Sequence, residues 1–412
     1  MNHIGWLDYS PLHHDKVMQV MDMFKETGVI DELGLGTIRD TLSDLFFPGT
    51  STIQTKAKYF LLIPWIIRDI EKSGTAARFF EDLQREEIHF TKILRNNSGN
   101  SGVIGATLVN ANPKRKPSSI YWTGLKRYNI LRFSGSIREY KNYSLYLAAK
   151  RKRLKKELIL DENKKPLDDR DAIYIEHDNL WSQLPAPPLD WRTNLKIELE
   201  YEEAKYLNEK IISSNDKTLW AFALKHCPLE AASFSAIDDF LVIEGLPDQL
   251  KTLIKLASDF NSIMQGAVLR YNYLIQLKRE SEKADQLETQ WQVYLQQMTD
   301  FPWHTWNTKH LWLRCPGIRQ STRKFVEDWI ALASAAAFSE GLADDLIKKR
   351  ENKLKGPNRA RLSNLAVAQK QDTLTGMRLS DGQVQYLNYR WPIARTFLTD
   401  INTGMKKYAA AG

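Results

Sequence analysis

The stretch PDQLKTLIKLASDFNSIMQGAVLRYNYLIQLK, Pro247 to Lys278, decides the fold class. Leu250, Leu253, Ile254, Ala257, Phe260, Met264, Ala267, Val268, Tyr271 and Ile275 recur in steps of three and four residues. That spacing sets them on one stripe of a helix. Ser321 to Phe338 and Gln383 to Ile401 read as helices on the same grounds.

Upstream, Ser10-Pro11 supplies a hydroxyl N-cap and a proline at the first helical position. A second helix is expected from near Asp31 through Ile38, Leu42, Leu45 and Phe46, and Pro48-Gly49 then turns the chain. A third spans Thr52 to Ile70, kinked or broken at Pro64, and a fourth runs from about Thr75 to Leu94. Asn96 to Gly102 is a loop by composition. Val103 to Val109 reads as a short strand or a further helix start. From Asp171 to Trp181, Ile173 and Ile175 alternate around Tyr174, a strand pattern. The expected fold is therefore mainly α, a multi-domain helical protein with a small α+β basic middle segment. Its expected parts are an N-terminal helical domain (residues 1–105), the basic segment (106–183), a proline-rich linker (184–196) containing LPAPPLD, and a C-terminal helical domain (197–412).

Hydrophobic residues make up 43% of the 412 and charged ones 26%, a globular composition that excludes a disordered chain. Two cysteines, Cys227 and Cys315, exclude a disulfide framework and a four-cysteine zinc site. Both thiols are expected to be reduced and buried, which fits a cytoplasmic location. MNHIGWLDYS shows no signal-peptide pattern. The longest apolar run, Phe60 to Ile67, has eight residues. A membrane span needs about 20, so no membrane partner is expected.

Charge is segregated. Lys114 to Lys156 carries fourteen Lys and Arg against one acid, Glu139, a net of +13, while the rest of the chain sums to −5. Such a field attracts polyanions. Tyr121, Trp122, Tyr128, Phe133, Tyr140, Tyr143 and Tyr146 interleave with the cations, as in surfaces that combine phosphate contacts with base stacking. Lys114, Arg115, Lys116, Lys126, Arg127, Arg132, Lys150, Arg151, Lys152 and Arg153 are the expected phosphate contacts, and Trp122 and Tyr128 the expected stacking or packing rings. The competing reading is a solvated face or a surface for an acidic protein. A weaker cluster, Lys348, Lys349, Arg350, Lys353, Lys355, Arg359 and Arg361, reads either as a loop on the binding face or as a solvated one.

Phe47-Pro48-Gly49-Thr50-Ser51 resembles the hairpin of helix-hairpin-helix DNA-binding proteins, whose turn presents backbone amides to a phosphate. Ser51 stands where that motif has a second glycine, and Thr52 and Ile53 replace the catalytic lysine of the related DNA glycosylases. Asp69 lies at the distance of their catalytic aspartate. A packing corner between helices is the preferred reading. Glu32, Arg39, Asp40, Lys56 and Lys58 are expected to form structural ion pairs, with a nuclease-like site as the rival. Arg270 interrupts an apolar stripe and needs a partner, expected to be Asp259 or Glu327, and Arg390 and Arg395 need partners likewise.

His304 and His310 lie six apart, and His13 and His14 are adjacent, so neither pair has metal-ligand spacing. No HExxH, GxxxxGK[ST], GxGxxG or GxSxG motif occurs, and Gly34-Leu35-Gly36 is only a glycine pair. No metal or cofactor is expected.

The runs Gly5-Trp6-Leu7-Asp8, DELGLGTIRD (Asp31 to Asp40) and FPGTSTIQTKAKYF (Phe47 to Phe60) resemble the opening of an uncharacterised bacterial family. YWTGLKRYNILR (Tyr121 to Arg132) and YRWPIARTFLTDI (Tyr389 to Ile401) are similar to that family too, so the likeness spans nearly the whole chain. The resemblance carries no catalytic residues with it. It implies a component of phage-defence islands, beside helicase-like and phospholipase-D-like genes. The expected function is nucleic-acid binding, with double-stranded DNA as first ligand, in a bacterial anti-phage defence system. The alternatives are a DNA-processing enzyme (nuclease or glycosylase) and a scaffold for a helicase-type partner.

Overall fold

The computed structural model describes residues 31–73, 78–108, 110–159, 180–370, 374, 379–380, 383–384 and 387–409. The helix expected at Ser10-Pro11, His13, His14 and the alternation around Tyr174 lie outside them. The described chain is mainly helical. Two compact units share it: one comprises residues 1–42 and 252–387, the other 43–251 and 388–412. The expected boundaries after residues 105, 183 and 196 all fall inside the second unit.

In the second unit, Tyr59–Ser73, Phe79–Ser98, Pro117–Arg127 and Ile137–Ile159 are helices. Short Trp191–Asn194 and the helices Tyr201–Ser214, Leu219–His226, Pro228–Ala231 and Trp391–Ala409 follow. Tyr59–Ser73 packs on Phe79–Ser98 and Pro117–Arg127, and Trp391–Ala409 packs along Tyr201–Ser214. Aromatic rings fill the core. Phe60 lies 4.9 Å from Tyr121, 5.1 Å from Tyr128 and 5.5 Å from Phe397, measured between centroids. Much of the aromatic content is thereby spent on packing.

The helix Tyr59–Ser73 runs through Pro64 without a break. It starts seven residues later than expected because Thr52 to Lys58 forms turns. Residues 103–108 are turns and not a strand: Ala106 N–H donates to Val103 O and Leu108 N–H to Gly105 O, bonds that a strand would send to a neighbour. Within the described part of 106–183 the extended pairing is a single antiparallel bridge, Leu131 with Trp181. The last helix begins at Trp391, eight residues after the expected start at Gln383, since Tyr389 and Arg390 take left-handed φ values of 47° and 63°.

In the first unit, Asp31 postpones a helix start. Its carboxylate accepts from Leu35 N–H and Gly36 N–H, both at 2.7 Å, so the helix Gly36–Phe46 opens five residues after Asp31. The ten stripe residues of Asp248–Lys278 are all buried. Lys283–Thr299, Thr308–Arg314, Gln320–Ala333 and Glu340–Lys355 complete the main helices of this unit, with short Leu365–Gln369 after them. Leu379–Ser380 pairs antiparallel with Gln383–Val384. Ile263 O receives both Trp329 Nε1 at 2.9 Å and the Tyr294 hydroxyl at 3.0 Å. Arg270 pairs with Asp344 at 2.6 Å and Glu340 at 3.2 Å, not with the expected Asp259 or Glu327. Both acids lie on Glu340–Lys355, a partner that only chain folding selects. Among the described residues no helix is long and apolar enough to cross a membrane.

Candidate nucleic-acid interface

The basic segment lies in the second unit and is built from two helices, α1 (Pro117–Arg127) and α2 (Ile137–Ile159). Pro117 at the first position suits the start of α1, where no intrahelical N–H is needed. Glu87 reaches that end from Phe79–Ser98 and accepts from Ser118 N–H at 2.6 Å. Burial pushes its carboxyl up to about 7, against the lowering effect of that bond. Helix α2 opens on a capping box. Ser136 N–H donates to Glu139 Oε2 at 2.7 Å, and Glu139 N–H returns a bond to Ser136 Oγ at 3.3 Å. The one acid between Lys114 and Lys156 is thus employed as a cap, and the bonds its carboxylate accepts from Ser136 N–H and Ser136 Oγ hold its pKa down.

The cations divide by environment. Lys114, Arg127 and Arg132 are exposed, as is Arg138. Arg115 is half-buried. Lys116 is half-buried too, with its ammonium on Asn112 Oδ1. Arg127 gives its Nε–H to Asn215 Oδ1 at 3.0 Å. Lys126 donates to Ser134 O at 3.1 Å and Gly135 O at 3.3 Å, and partial burial lowers its pKa. Lys150, Arg151, Lys152 and Arg153 lie on α2.

The aromatics divide more sharply. Tyr121, Trp122, Tyr128 and Tyr140 are buried. Trp122 Nε1–H donates to Gly135 O, and Tyr128 accepts from Trp220 Nε1 at 3.2 Å. Of the two roles expected for Trp122 and Tyr128, the structure shows packing. The exposed rings are Tyr143 and Tyr146, at 37% and 59% of full exposure, with Phe133 half-buried beside Tyr143. Neither tyrosine is among the contacts expected from the sequence. Their signal was a spacing of three on one helix, next to the stripe that Tyr140 and Leu147 bury seven apart.

Phe47, Thr50 and Ser51 of the turn already spend their amides, Phe47 N–H on Ser43 O at 2.7 Å. Thr50 N–H donates to Phe47 O, Ser51 N–H to the Gln54 side chain at 2.9 Å, and Gln54 Nε2 to Gly49 O at 3.2 Å. Gly49 has φ +87°, and a Cβ there would lie 2.7 Å from the Tyr128 ring, so the turn is wedged against the core. Asp44 pairs with Arg390 at 2.6 Å, Asp69 with Arg192 at 2.8 Å, and Lys56 with Asp400 at 2.8 Å. In the first unit Arg39 pairs with Asp40 at 3.0 Å and Glu32 with Lys355. Arg395 donates to Phe234 O at 2.6 Å.

An open groove of about 680 Å³ runs between Gln183–Pro188 and the face of Tyr201–Ser214, lined by Glu200, Glu202 and Glu209 among others. Its charge is the wrong sign for a polyanion. The weaker cluster of the first unit is a loop only at its end, where Arg359 and Arg361 lie in turns. Lys348 to Lys355 is helical, Arg350 and Arg361 are buried, and Lys355 is pushed down to about 8 by burial and by neighbouring Arg361 and Arg359. Arg350 serves as a clamp, donating to Leu33 O at 2.8 Å, Ser321 O at 3.1 Å and Thr322 Oγ1 at 2.8 Å.

The model of a family described as a family of unknown function, DUF6361, matches residues 1–404. The chain belongs to DUF6361. Neither the curated proteins nor the solved structures hold a significant match to this DUF6361 chain. Among its described residues no three His, Cys, Asp or Glu side chains stand together as a metal site would require.

Proposed function

We propose that this DUF6361 protein is a cytoplasmic nucleic-acid-binding protein whose ligand, DNA in the first instance, lies on the segment 113–156. The observation that carries the reading is the charge segregation: one segment holds a net +13 in a chain whose remainder is −5. The exposure of Lys114, Arg127, Arg132 and Arg138 supports it. A role in anti-phage defence beside helicase-type partners rests on the family resemblance alone and is part of the proposal.

The test is equilibrium binding of labelled DNA to the full chain over a range of salt. Affinity that falls with log salt at a slope of roughly −4 or steeper supports about five phosphate contacts. Reversing four charges, Arg127→Glu, Arg132→Glu, Lys150→Glu and Arg151→Glu, is expected to abolish most of the binding. Unchanged affinity in that variant, or no binding at low salt, overturns the reading.

A further inference from the structure

The exposed rings of α2 form the outer end of an ordered stack. Tyr140 is its buried foot. Its hydroxyl donates to Glu71 at 2.6 Å and accepts from Trp181 Nε1 at 2.7 Å. Phe133 meets Tyr140 edge-on at 5.6 Å and then stacks on Tyr143 at 5.6 Å with 20° between planes. Tyr143 continues onto Tyr146 at 6.1 Å and 29°. The series ends in solvent at Tyr146, the most exposed ring among the described tyrosines and phenylalanines.

Three features separate this series from a chance surface aromatic. Its rings are held in place by a core residue, so adding one more ring at the end costs little ordering. Cations flank its rings in the chain: Arg132 precedes Phe133 and Arg138 lies in the first turn of α2, both exposed, and Lys141, two residues before Tyr143, lies half-buried over the Phe80 ring at 5.3 Å. Tyr143 and Tyr146 stand three apart on α2 and so share one face of it, and the cation-rich run Lys150 to Arg153 follows them in the chain.

We propose that the Phe133–Tyr143–Tyr146 stack is a platform for an unpaired base, so that the segment binds single-stranded nucleic acid in preference to duplex. A duplex stacks its bases on one another and shows a protein mainly their edges, so a ring face gains nothing from it except at an end. An unpaired base offers its whole face to Tyr146, while the phosphates on either side meet the cations. The net charge of the segment does not distinguish the two, and the exposed ring faces do. The inference rests on the nucleic-acid reading above and specifies the ligand of that same face.

The experiment uses the full chain and three labelled probes of about 20 nucleotides, a length that exceeds one stacking site: oligothymidylate, an abasic strand of the same charge, and a blunt duplex. Oligothymidylate is expected to bind about tenfold more tightly than the abasic strand. Tyr146→Ala is expected to remove that advantage while leaving abasic binding unchanged, and Tyr146→Phe to keep it. Tyr146 is exposed and its loss leaves the core intact, so a thermal melt of each variant should match the parent. If all three probes bind alike and Tyr146→Ala changes none of them, the platform is refuted and the phosphate reading stands. If no probe binds at low salt, both fall.

Discussion

The ammonium of Lys58 lies 2.6 Å from Glu203, and both side chains are almost wholly removed from water. The bond joins the turn before Tyr59–Ser73 to the helix Tyr201–Ser214, and Glu203 also accepts from Glu200 N–H at 2.9 Å as part of the cap of its own helix. Burial lowers the Lys58 pKa, and Glu203 opposes that shift. Removing one partner strands the other. Lys58→Ala is expected to cost about 3–5 kcal/mol in chemical denaturation, and Lys58→Met with Glu203→Leu to recover much of the loss. A cost below about 1 kcal/mol for the single change would contradict a desolvated pair.

Glu87 makes stability depend on pH. Its folded pKa is raised above the unfolded value of 4.5 to about 7, so its contribution is fully present below 4.5 and is lost as pH rises through 7. Glu87→Gln keeps an acceptor for Ser118 N–H without the charge. Between pH 5 and pH 8 the parent is expected to lose about 2 kcal/mol relative to this variant. Parallel stability curves for the two proteins would rule the shift out.

Gly266 has no room for a side chain. A Cβ there would lie 2.0 Å from the Tyr294 ring, which is anchored by its hydroxyl on Ile263 O. Gly266→Ala is expected to destabilise the fold by about 3 kcal/mol or more, read as a lowered melting temperature.

Trp122 and Arg132 belong to the same basic segment and should respond in opposite ways. Trp122 is buried with its indole bonded to Gly135 O, so Trp122→Ala is expected to cost about 3–5 kcal/mol of stability. Arg132 is exposed, and Arg132→Ala should leave the melt nearly unchanged while weakening DNA binding and making its salt slope shallower by roughly one.

Cys227 and Cys315 are buried free thiols, each pushed up to about 11 chiefly by desolvation. Neither should react with a thiol reagent at neutral pH in the folded protein, and both should react once it is denatured. Fast labelling of either in the native state would show that its surroundings open.

Periodicity carried the helices because a helix face is a local property. The stripe from Leu250 to Ile275 could be read in steps of three and four, and every member is buried. Helix starts were less legible. Asp31 delays one by capping from a distance, and two left-handed residues, Tyr389 and Arg390, delay another. The aromatics were least legible of all. Tyr128 and Tyr146 sit in the same basic segment, yet one is fully buried against Phe60 and Trp220 and the other lies mostly in water.

By itself the sequence determined the helical class, the reduced and buried cysteines and the net +13 of one segment. Each of these follows from residue identity and near-neighbour spacing. Tertiary structure alone decided that Arg270 meets Asp344, that Lys58 meets Glu203 and that Arg350 becomes a clamp and not a surface cation. The reason is physical: a buried charge takes whichever partner the packed helices bring within reach, and that choice is made between residues far apart in the chain.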